Sequence, residues 1–157
     1  MHAGQIKVIG CGNLLFGDDG FGPAVISCLE EKFPVDHKVE LVDAGTGAGE
    51  LLLDAYLGEA KIKTIILIDA MDLGLPTGTV KEVSMENIPS LKRDDFSIHQ
   101  FPSLDILSEL KRKGVDVRIV GCQVETIPEE VCCGLSEVVA MAVPKTALMI
   151  NDMIKNP

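Results

Sequence analysis

Ile6-Lys7-Val8-Ile9-Gly10-Cys11-Gly12-Asn13-Leu14-Leu15-Phe16-Gly17-Asp18-Asp19-Gly20-Phe21-Gly22-Pro23-Ala24-Val25-Ile26-Ser27-Cys28-Leu29 carries three structural signals in succession. Residues 6–9 form a short β-rich run, and Gly10 and Gly12 mark a sharp turn after a buried strand. Residues 10–20 therefore read as a loop. From Phe21 the apolar residues Phe21, Ala24, Val25, Cys28 and Leu29 recur at helical spacing. Pro23 suits a first helical turn, where its missing N–H is not needed, and Pro34 lies beyond the end. A helix is predicted over 22–32.

The alternation continues outward from this stretch. A second strand is predicted over 39–42, a second helix over 47–57, and a third strand over 64–68, whose unbroken apolar character fits burial on both faces. Residues 79–84 alternate like an edge strand, and 85–100 have too little apolar periodicity for a regular element. Leu104, Leu107, Leu110 and Lys111 fit an amphipathic helix, 115–124 a central strand, and 135–154 a final helix that Pro144 should kink or interrupt. The order predicts an α/β fold: a three-layer sandwich whose mainly parallel sheet of about five strands carries helices on both faces.

With 157 residues and 46% hydrophobic content, one domain over 1–157 is expected to bury a core of its own. Acidic residues outnumber basic ones 24 to 14, and the net charge of -10 disfavours a nucleic-acid partner. The apolar runs are strand-sized, so no membrane span is expected, and residues 1–9 lack the pattern of a signal peptide, which points to the cytoplasm. Cys11, Cys28, Cys122, Cys132 and Cys133 contain no C-x-x-C pair, consistent with reduced thiols. Packing is the expected role for Cys11 and for Cys132-Cys133.

Asp18 and Asp19 follow the first strand, Asp43 ends the second and Asp69 the third, which predicts four carboxylates at one rim of the sheet. Such a cluster repels itself unless a cation sits among its members. One of Asp18 and Asp19 is expected to cap the neighbouring helix and the other to bind. Asp72 is a near alternative to Asp69. His99 is the histidine best placed to join them, and one imidazole with two carboxylates suits nickel, zinc or manganese. Gly10-x-Gly12 with Asp43 also imitates a dinucleotide loop, but Leu15 occupies the third glycine position and Asp18 and Asp19 stand where phosphates would enter.

The run from Gly10 to Gly22 resembles the G-x-G-N-x-L-x-x-D-[DE]-x-x-G opening of the hydrogenase maturation endopeptidases. The resemblance continues through Asp43-Ala44-Gly45-Thr46, Ile68-Asp69-Ala70 and His99-Gln100 before a Leu-rich helix, and so spans nearly the whole chain. It implies an endopeptidase that removes the C-terminal extension of a nickel-iron hydrogenase large-subunit precursor. It also implies that Asp19, Asp69 and His99 are the catalytic and metal-meeting set. The nickel would be supplied by the precursor, with no permanently bound metal, and the free protein would be a monomer. A non-catalytic nickel chaperone or assembly factor is the alternative. Position 19 is Asp where other members carry Glu, and Ala44 replaces the first glycine of a D-G-G-T pattern. The opening run is most similar to the archaeal branch that processes deazaflavin-reducing hydrogenases.

Overall fold

The structure, a computed structural model, describes residues 4–88, 104–125 and 127–157. In chain order the elements are β1 (Gln5–Cys11), α1 (Phe21–Lys32), β2 (Val39–Gly45), α2 (Ala48–Leu57), β3 (Ile62–Met71), β4 (Val80–Val83), α3 (Leu104–Arg112), β5 (Asp116–Gln123) and α4 (Glu137–Lys155). Short 3-10 turns occupy Gly17–Gly20 and Met85–Asn87. The five strands form one sheet in the order β2-β1-β3-β5-β4. All neighbours are parallel except β4, which lies antiparallel to β5.

This arrangement follows from chirality. The chain steps from β1 to β2 on one side, then from β2 across β1 to β3 on the other. Right-handed crossovers place the helices of two opposite steps on opposite faces. Accordingly α1 and α4 pack against Ile6, Val8, Ile66, Ile68 and Val120, and α2 and α3 against Ile9, Ile65, Leu67 and Ile119. Leu29, Val25, Val139 and Ile150 seal the first face; Leu52, Leu107 and Leu110 seal the second. Buried side chains of this size each stabilise the fold by roughly 1.5–3 kcal/mol.

The layer of α2 and α3 is also tied at its outer end. Lys113 Nζ donates to the Tyr56 carbonyl at 2.7 Å and stands 4.0 Å from the centre of the Tyr56 ring. On β5, Arg118 holds Glu82 through two bonds of 2.8 and 3.0 Å, which pins the short edge strand β4 in register. Hydrogen bonding from Arg118 keeps the Glu82 carboxyl below its usual range.

Three expectations need revision. β3 runs to Met71, so Asp69 lies inside a strand instead of following it. Here β5 supplies partners as far as Met71↔Gln123, and pairing continues past the last of the large aliphatic residues. α4 passes through Pro144 without interruption. The carbonyl that loses its donor belongs to Ala140, an exposed residue, so water can satisfy it. β2 extends three residues further than predicted, to Gly45. Among the described residues, no helix is long and apolar enough to cross a membrane.

Candidate active site at the carboxyl rim of the sheet

The reversal of direction at β1 creates a switch point: the chain leaves β1 toward one face, and neighbouring β3 leads away toward the far edge. In open α/β sheets the crevice outside the carboxyl ends of two such strands is where ligands bind. The loop after β1 brings Asp18 and Asp19 to this place, and β3 brings Asp69.

Backbone packing explains why the opening loop has its composition. Gly12 has φ of 127°, and a Cβ there would lie 1.9 Å from the Asp19 carbonyl oxygen, so the loop can fold back only over a glycine. A Cβ at Gly22 would stand 2.3 Å from the Cys11 carbonyl oxygen and 2.6 Å from that of Ile68. The start of α1 therefore sits directly on the ends of β1 and β3. The glycines that imitate a phosphate loop bring backbone against backbone.

The four expected rim carboxylates divide into different roles. Asp18, 4% exposed, accepts hydrogen bonds from Ser136 N at 2.6 Å and Ser136 Oγ at 2.9 Å. Ser136 is the N-cap of α4. Asp18 thus caps, as expected of one of the two acids, but it serves the last helix of the chain instead of the adjacent one. Asp43 is exposed and accepts from Gly45 N at 3.1 Å, shaping its own turn. It pairs with Gly10, placing it on the α1 face, whereas Asp69 alternates with Leu67 and Met71 toward the α2 and α3 face. Asp43 is therefore separated from the group. Asp72 accepts from Gly74 N at 3.2 Å and Gln123 Nε2 at 3.3 Å, again organising a turn.

Asp19 and Asp69 are both buried near the carboxyl ends of β1 and β3, each only 1% exposed. Asp19 Oδ2 accepts from Asn13 N at 2.9 Å, which fixes its carboxylate under the opening loop. His99 lies outside the described residues. The described residues that flank positions 89–103, Ile88 and Leu104, both pack in the layer on the Asp69 face. Among the described residues, no group of three or more His, Cys, Asp or Glu side chains could hold a metal ion.

Two positioning residues escaped the sequence reading. Gln123, 7% exposed, accepts through Oε1 from the Leu73 and Leu75 backbones and donates through Nε2 to Asp72 and to the Val124 carbonyl. It holds the turn that follows β3. Its signal was a lone amide at the end of the apolar run 119–124. Ser136, which ties α4 to Asp18, gave no signal beyond preceding an apolar stretch. The thiols also differ from expectation in part. Cys11 is fully buried, as a packing residue should be, whereas Cys132 and Cys133 are both exposed. Gly134 and the glutamates Glu129 and Glu130 flank them, and no apolar partner element follows until α4. Burial pushes the Cys122 thiol up to about 12, with the nearby Asp18 carboxylate adding to the effect.

Helices on both faces of a mostly parallel five-stranded sheet, a switch point between β1 and β3 and a pair of buried acids at the rim define a small three-layer α/β protein. The model of the family described as hydrogenase maturation protease matches residues 23–153. A protein of Methanocaldococcus jannaschii provisionally named as a hydrogenase maturation protease is 41% identical over 99% of both chains. The coenzyme F420 hydrogenase subunit delta of Methanothermobacter thermautotrophicus is 37% identical over 96% of this chain and 94% of its own. The hydrogenase maturating endopeptidase HybD from E. coli superposes with a TM-score of 0.73 at 28% identity, covering 97% of this chain and 93% of that one. The chain belongs to the hydrogenase maturation protease family and is a peptidase.

Proposed function

We propose that this peptidase removes the C-terminal extension of a nickel-iron hydrogenase large-subunit precursor after nickel has been inserted, and that the precursor's nickel is its recognition element. Asp19, Asp69 and His99 are the groups that meet the ion. The observation that supports this reading is the burial of the Asp19 and Asp69 carboxylates near the carboxyl ends of the neighbouring strands β1 and β3, beside the switch point of the sheet. Similarity to a subunit of a coenzyme F420 hydrogenase supports a deazaflavin-reducing enzyme as the source of the precursor. The protein acts in the cytoplasm, as a monomer when free.

Carboxylate oxygens and an imidazole complete the coordination of an ion that the precursor already holds through thiolates. Bound in this way, the ion places the scissile carbonyl at the crevice, or lowers the pKa of an attacking water. A precursor without nickel offers nothing for the two acids to grip.

The test is the mass of a nickel-loaded precursor and of a nickel-free one, before and after incubation with the protein. Loss of a C-terminal peptide from the loaded sample alone is the expected result, and Asp19→Asn, Asp69→Asn and His99→Ala should each slow it by about a hundredfold or more. Equal cleavage of both precursors would end the nickel-gated reading. No cleavage, with retained binding, would favour the chaperone.

A further inference from the structure

Cys132 and Cys133 are adjacent, exposed and free, while Cys11, Cys28 and Cys122 are buried. The exposed pair sits in a segment stitched to the opening loop. Cys132 N donates to the Leu15 carbonyl at 2.8 Å, and the Cys132 carbonyl accepts from Gly17 N at 2.7 Å. Four residues later, Ser136 is held by Asp18. The loop carrying Asp18 and Asp19 is therefore braced from outside by the residues around the thiol pair.

Joining two adjacent thiols has a specific geometric consequence. Neighbouring Cα atoms lie about 3.8 Å apart across a trans peptide. Relaxed disulfides need at least about 4.4 Å. The ring must therefore distort the peptide between the two cysteines, and that peptide contains the Cys132 carbonyl that accepts from Gly17. Ring closure and the bond to Gly17 compete for one peptide plane. Strained, exposed disulfides are also the readily reduced ones, so the change is reversible. A Cβ at Gly134 would meet nothing within 4 Å, so the chain beyond the pair has room to adjust.

We propose that Cys132-Cys133 is a reversible oxidation site, and that closing its disulfide releases the brace on the opening loop. The oxidant is a low-molecular-weight disulfide. One thiolate attacks it, forming a mixed disulfide and expelling one thiol. The second thiolate then attacks the protein sulfur of that mixed disulfide and expels the other. The protein loses two protons and two electrons; the oxidant gains both and leaves as two thiols. A resulting loss of peptidase activity rests on the role proposed for Asp19, but the site itself does not.

The experiment treats the intact protein with bis(2-hydroxyethyl) disulfide, which is uncharged and so is not repelled by Glu129 and Glu130. Peptide mapping follows the thiols, and amide hydrogen exchange follows Gly17, with Ile66 of β3 as the core control. Expected are a mass loss of about 2 Da localised to 132–133 and exchange at Gly17 faster by about tenfold. Ile66 should be unchanged, and dithiothreitol should reverse both effects. Cys133→Ser, an exposed substitution, should show neither. Mixed disulfides that never close would overturn the proposal. So would closure without a change at Gly17, or equal acceleration at Ile66. None of these readouts needs the hydrogenase precursor, so failure here is distinct from failure of the proposed function.

Discussion

Removing the carboxylate of Asp18 should destabilise the protein far more than its surface position in the sequence motif suggests. Asp18 is 4% exposed and accepts two hydrogen bonds, of 2.6 and 2.9 Å, from the residue that begins α4. Bonds to a charged group contribute roughly 1.5–3 kcal/mol each, and Ser136, being exposed, can turn to water once its acceptor is gone, which holds the loss toward the lower end. Relief from burying a charge offsets part of this. Asp18→Ala is therefore expected to cost about 3 kcal/mol, a large share of a typical stability of 5–15 kcal/mol. Ser136→Ala keeps the backbone donor and loses only the Oγ bond. Because the Ser136 hydroxyl is committed to Asp18 and makes no capping bond to its own helix, that loss is about 1.5 kcal/mol. The double variant should cost about as much as Asp18→Ala alone, since the Oγ bond is already gone in the single variant. A coupling energy of about 1.5 kcal/mol follows. Urea unfolding followed by far-UV circular dichroism measures all four proteins, the chain having no tryptophan. Additivity to within about 0.5 kcal/mol would refute the reasoning and dissociate the opening loop from α4.

Two further predictions concern local environment. Gly22→Ala and Gly49→Ala both add a methyl group to a helix, yet should act in opposite directions. At Gly22 the new atom would meet two backbone oxygens at 2.3 and 2.6 Å, and a loss of several kcal/mol, on the order of 3 or more, is expected in urea unfolding. At Gly49 it meets nothing within 4 Å, and a gain of roughly 0.5–1 kcal/mol should follow from helix propensity. The Cys122 thiol is raised from 9.0 to about 12, chiefly by burial. Between those values the unfolded thiol has released its proton while the folded one keeps it, so its contribution is complete below 9.0 and is lost as pH rises toward about 12. The alkaline fall in stability should be steeper in the wild type than in Cys122→Ala, by up to about 1.4 kcal/mol per pH unit. Equal slopes would show that Cys122 ionises as readily folded as unfolded.

Much of the architecture was legible because the relevant signals are local. Residues 65–68 within β3 are continuously apolar, and only a strand covered on both faces places every one of them out of water. Helical spacing from Phe21 and the proline positions marked α1 to within a residue. The same reasoning placed acids at the carboxyl rim, because strand ends can be read from where apolar runs stop. It stopped β3 too early, since pairing with β5 holds Asp69, Ala70 and Met71 in the ladder.

The division of labour among the acids was not legible. Asp18 and Asp19 are neighbours of one type, and only the approach of Ser136, 118 residues away, gives the first a capping role. Asp43 and Asp69 lie two residues from the carboxyl ends of successive strands, but the pleat and the register turn them to opposite faces. Packing seemed the default for Cys132 and Cys133 because small thiols are usually buried, and exposure depends on which element, if any, covers a segment. By itself the sequence determined the order of strands and helices, the glycine turn after β1 and the family, all properties of contiguous residues. Tertiary structure alone decided which acids are buried at the rim and which residues brace the opening loop, because those contacts join segments far apart along the chain.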